Sequence, residues 1–87
     1  MKPIIFKEYR EKIIQALEKR GIVFFNQTTQ TGEYLLVDNF INQPIQEQIS
    51  GNLIIGGPAI PMVSIVNVRT GEIKFFAIKA LLPDIEI

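Results

Sequence analysis

An amphipathic helical stripe runs once along this chain and does not return. Phe6, Tyr9, Ile13, Ala16 and Leu17 recur at the i, i+3, i+4 spacing of one helix face, and Ile5 and Ile14 widen it. Pro3 suits a first turn, where its missing N–H costs nothing, and Glu8 and Lys12 form an i, i+4 pair in the favoured order. Lys19 and Arg20 complement the helix dipole in a last turn, and Gly21 is the left-handed stop. The pattern predicts a helix over 4–20. One helix followed by strands restricts the fold to an α+β arrangement.

Past Gly21 the β-branched and aromatic residues of 22–29 and 33–40 replace straight-chain helix formers. Gln30-Thr31-Gly32 lies between them, and a hairpin with a glycine bulge is expected. A second hairpin is expected from 62–68 and 72–79, closed by Arg69-Thr70-Gly71. Thr31-Gly32-Glu33 and Thr70-Gly71-Glu72 thus look equivalent in turn chemistry, although their flanks share too little identity for a repeat. Around 44–50, Pro44, Ile45 and Ile49 suggest a short second helix, against the alternative of an irregular Gln/Asn-rich loop. Residues 53–55 read as a short strand, and 81–87 as an extended tail.

The fold expected is a single α+β domain over 1–87: the N-terminal helix packs on an antiparallel sheet of four to five strands made of two β-hairpins. Several strands carry apolar residues on both faces, as where Val63 and Ile65 alternate with Met62 and Val66. A sheet with water on one face should alternate more strictly. Apolar residues make up 47% of the 87 and charged ones 21%, a rich mixture for a chain whose small size leaves much of its surface exposed. A homo-oligomer, as a homodimer, is therefore expected, with a protein partner as the other way of covering the apolar surface.

Charge is balanced overall but uneven along the chain. Residues 1–20 carry six cations and three anions, and the remainder carries three and six. Such asymmetry can guide association, although a solvated helix face explains it as well. The interleaved acids make nucleic acid an unlikely partner. The N-terminal stretch lacks a signal-type apolar run, and the longest apolar stretch, 53–66, is broken by glycine and proline. A cytoplasmic location with no membrane contact is expected.

The chain has no histidine and no cysteine. That removes the usual neutral-pH general base, the Ser-His and Cys-His nucleophile pairs, and thiolate metal sites. Glu33 and Glu72 each follow a turn glycine, where an exposed acid is ordinary, and Asp38 ends an apolar run without an evident partner. No catalytic residue, no metal site and no cofactor is assigned. The most distinctive local feature is Gly56-Gly57-Pro58 with Pro61, expected as an edge, bulge or loop because proline interrupts a central ladder. It is a rigid turn, or else a ligand or partner loop.

The strand-Arg69-Thr70-Gly71-Glu72-Ile73-strand segment after a helix resembles PepSY-type modules over one hairpin. The resemblance implies a hairpin and carries no activity or residue role. A non-enzymatic interaction or regulatory module that self-associates is the leading functional expectation. Small-ligand binding at 56–61 is the alternative, and a carboxylate-dependent enzyme the least favoured.

Overall fold

The computed structural model describes residues 3–45 and 59–86. Helix α1 spans Phe6–Lys19 and buries Phe6, Ile13, Ala16 and Leu17, four residues of the expected stripe. Ile5 falls outside it and stays half-exposed. The helix ends in a Schellman motif: Gly21, at φ +90°, donates to the Glu18 carbonyl at 3.0 Å, and Ile22 donates to that of Leu17 at 3.2 Å. The Arg20 guanidinium caps two helices together. It donates to the Ala16 carbonyl at 2.9 Å and to the Ala80 carbonyl, in the second helix, at 3.0 Å.

The sheet is built on one long strand. β1 is Tyr34–Leu36, β2 Ile41–Pro44, β3 Ala59–Asn67 and β4 Ile73–Ala77, and β1, β2 and β4 all pair antiparallel to β3. Val66 and Ile65 have β1 on one side and β4 on the other, while Met62 has β2 and β4. β1 and β2 therefore lie along the same side of β3, as two halves of one interrupted strand. Between Leu36↔Ile65 and Ile41↔Met62, four residues (37–40) face two on β3, so this edge carries a wide bulge. Val37 N–H donates to the Ser64 carbonyl at 3.0 Å, and Asn39 N–H to that of Val37 at 2.9 Å. The bulge swings Phe40 against Phe6, with ring centroids 5.2 Å apart and edge to face.

The second hairpin forms as expected, but the first shrinks to one antiparallel bridge, Asn26↔Thr31. Beyond that bridge the chain reverses at Gly32 (φ +91°), and Tyr34 lies parallel beside Phe24. Glycine is required there, because a Cβ would collide with the Phe24 carbonyl. The two Thr-Gly-Glu stretches are thus not structural equivalents. The shared device is an asparagine that opens a four-residue loop. Asn26 Oδ1 accepts the N–H groups of Thr28 and Thr29 (2.9 and 3.3 Å), and Asn67 Oδ1 those of Arg69 and Thr70 (2.9 and 3.1 Å). Each loop closes through the asparagine N–H, to Thr31 and Glu72 respectively, and its fourth residue is left-handed: Gln30 at φ 57°, Gly71 at φ 79°. Gly71 therefore corresponds to Gln30, two residues before Gly32.

The last expected strand, 72–79, is cut short. β4 stops at Ala77 and a second helix, α2 (Ile78–Leu81), follows. The helix expected near 44–50 is corrected at Pro44, which ends β2; residues 46–50 lie outside the described residues. The tail docks instead of extending: Ile85 is buried, and Lys79 Nζ donates to its carbonyl at 2.7 Å. One core results, with Phe6, Ile13 and Leu17 of α1, Val63 and Ile65 of β3, Tyr34, Ile78, Leu81 and Ile85. The chain is an α+β fold: an N-terminal helix, an open four-stranded antiparallel sheet and a short second helix.

Candidate interaction surface

Side chains alternate across a sheet, so the strand register assigns every described position to a face. Val63 and Ile65 point into the core; Tyr34, Leu36 and Phe76 share their face, as does Lys74 at its exposed margin. The opposite, outer face takes Leu35, Ile41, Gln43, Ile60, Met62, Ser64, Val66, Ile73, Phe75 and Ala77. Not one of these ten carries a charge. The inner face is the one that holds a cation: Lys74, with its ammonium 5.3 Å from the centroid of the Tyr34 ring. The neighbouring Tyr34 hydroxyl, chiefly by hydrogen bonding, holds the Lys74 amine above the ordinary lysine range.

The outer residues form cross-strand rows. Leu35, Val66 and Ile73 make one, Ser64 sits beside Phe75 in the next, and Ile41, Met62 and Ala77 make a third. Leu35 is 50% exposed, Ile73 52% and Phe75 53%. Such rows of β-branched, aromatic and long apolar side chains pack well on a pleated surface. The strands that carry them are fixed from the other side, because the same β3 places Val63 and Ile65 at 0% exposure.

Among the described residues, those singled out in the sequence do not converge on a chemical site. Gly56, Gly57 and Pro58 lie outside the described residues. Pro61 stands within β3 opposite Asn42, beyond the end of β4, so β3 has a strand on one side only at this point. Of the places a proline tolerates, this is a locally open edge. Glu33 and Glu72 are exposed. Asp38 is exposed and does have a partner: it sits in the bulge and accepts from Arg10 Nε at 3.1 Å, tying α1 to the sheet edge. That pair, in water, contributes at most about 1 kcal/mol.

Among the described residues no group of three or more carboxylates stands where it could hold a metal ion. A groove of about 640 Å³ lies between the start of α1 and the tail, lined by Ile4, Tyr9, Lys12, Pro83 and Asp84 among others. Its cation and its acids are mixed, and Lys12 lies 5.6 Å from the centroid of the Tyr9 ring, so it presents no single charge to a ligand. No described helix is long and apolar enough to cross a membrane.

Three features escape the sequence reading. The turn-opening Asn26 and Asn67 had a readable signal, since asparagine before a turn binds the backbone two residues on. The 37–40 bulge had none, because a bulge exists only relative to a partner strand. The double cap made by Arg20 requires knowing where α2 ends. Comparison with protein-family models, with curated proteins and with solved structures returned no match.

Proposed function

We propose that this chain is a non-enzymatic, self-associating interaction module, and that its outer sheet face packs on the same face of a second copy. The observation that carries the reading is the absence of any charge from the ten outer positions, with Leu35, Ile73 and Phe75 half-exposed. A sheet face meant for water carries polar residues at alternate positions. An uncharged apolar face is also self-complementary under a two-fold axis, since no like charges meet there. The zero net charge of the chain adds no long-range repulsion between copies.

The size of the face sets the strength of the contact. Over the three-strand part, three columns about 4.8 Å apart and the five residues of β3 paired with β4 give a flat footprint on the order of 250 Å² per copy. That is well under the roughly 800 Å² per partner of a stable complex, so a reversible dimer in the micromolar range is expected. Sedimentation equilibrium from 5 to 500 µM tests it. Wild-type protein should move from monomer to dimer across this range, and Phe75→Lys should stay monomeric with an unchanged circular dichroism spectrum. A wild-type chain that is monomeric throughout would refute the reading.

A further inference from the structure

β3 runs on past the body of the sheet. β4 ends at Ala77 opposite Met62, so beyond that row only β2 accompanies β3, through Asn42↔Pro61, Gln43↔Ile60 and Pro44↔Ala59. Every residue of these rows is exposed except the half-buried Pro61. A two-stranded ribbon without a third strand is marginal in water on its own. This ribbon is also uncharged throughout its described length, Ile41–Ile45 and Ala59–Met62. The sequence around it follows suit. The 30 residues from Asn39 to Val68 contain one charged residue, Glu47, whereas the other 57 contain 17.

We infer that the β2–β3 ribbon is an arm that lies on the second copy and completes the dimer contact begun by the outer sheet face. The inference rests on the self-association reading and names the element that strengthens it. Gln43 and Ile60 continue the outer face without a break from the Ile41–Met62–Ala77 row, and Ile60 is 38% exposed. The three-strand face alone is too small for a stable dimer, and the ribbon is the adjoining uncharged surface. Pro44 and Pro61 lack backbone donors, one on each strand, so the ribbon docks by its side chains and does not recruit further strands along its edges. A closed pair follows, not a fibre. Lipid is the other occupant an uncharged arm suggests. Asn42 and Gln43 weigh against it, since their amide groups would lose hydrogen bonds in hydrocarbon, and the described ribbon has no lysine or arginine to meet a headgroup.

The test compares Ile60→Lys with wild type by sedimentation equilibrium, with Gln43→Glu as a second exposed substitution should the first impair folding. Each should raise the dimer dissociation constant tenfold or more while leaving the far-ultraviolet spectrum unchanged. If both variants dimerise as wild type does while Phe75→Lys is monomeric, the arm is refuted and the self-association reading stands. If wild type itself is monomeric at 500 µM, both fail. Flotation of wild type with neutral phosphatidylcholine vesicles, lost in Ile60→Lys, would assign the arm to lipid and overturn the inference.

Discussion

The two faces of this sheet are made from the same strands, and often from adjacent residues, yet they differ in what covers them. Ile65 is fully buried in the core; its neighbour on the strand, Val66, looks the other way into a row with Leu35 and Ile73, both half-exposed. The inner face tolerates a cation at its margin, because Lys74 keeps its ammonium in water beside the Tyr34 ring. The outer face tolerates none. Burial among the described residues thus does not account for the half-exposed Leu35, Ile73 and Phe75 of the outer face. The outer face has the composition of a core layer, which is why we propose that a second copy covers it.

The contrast is sharpest in mutation. Ile65→Ala opens a cavity in the core and should cost about 3 kcal/mol. That is a large share of the roughly 4–13 kcal/mol expected of a domain this size. Urea denaturation at low protein concentration measures it, and a cost similar to that of Ile73→Ala under those conditions would erase the distinction between the faces.

Next in size are the turns that feed the two faces. Gly32 leads the chain to Tyr34 on the inner face, and an added Cβ there meets the Phe24 carbonyl as well as a left-handed backbone. Gly32→Ala should cost more than about 2 kcal/mol. Gly71 leads to Ile73 and Phe75 on the outer face, and its Cβ would meet open space, so Gly71→Ala should cost only about 1 kcal/mol, the left-handed penalty alone. Thermal melts of the two variants give the order directly; a reversed order would contradict the loop geometry.

The smallest effect expected is of salt and pH. With no charge at the ten described outer positions, dimer affinity should change less than threefold between 50 and 500 mM NaCl, or between pH 6 and 9. Lys74 does not disturb this. Its pKa is raised in the folded chain, so whatever stability its contact with Tyr34 supplies is complete below the ordinary lysine range and is lost only as pH rises through the higher folded value. A dimer that dissociates in salt, followed by light scattering, would move the interface to the charged surface of α1.

The parts of this fold that could be read in advance are those specified by neighbours in the chain. The α1 stripe, its stop at Gly21 and the β3–β4 hairpin at Asn67–Glu72 all depend on local spacing and turn chemistry, and they stand where expected. What depends on distant partners was not legible. The first hairpin shortened because Gly32 turns the chain beside Phe24 and carries Tyr34 to β3, a choice made by the sheet and not by the turn. The four residues of α2 are too few to show a helical period, and they are held by Arg20 from 60 positions away. The surface itself was legible in part. Apolar residues on both sides of β3 announced a second apolar face, but only the register shows that its ten positions are free of charge.

Self-association is tested most directly by which atoms meet between copies. In a mixture of ¹³C-labelled and unlabelled protein at 500 µM, an isotope-filtered nuclear Overhauser experiment reports contacts between chains alone. Contacts from the methyl groups of Leu35, Val66 and Ile73 to the Phe75 ring of the other copy are the expected result. Intermolecular contacts confined to the residues of α1, with those methyl groups silent, would contradict it.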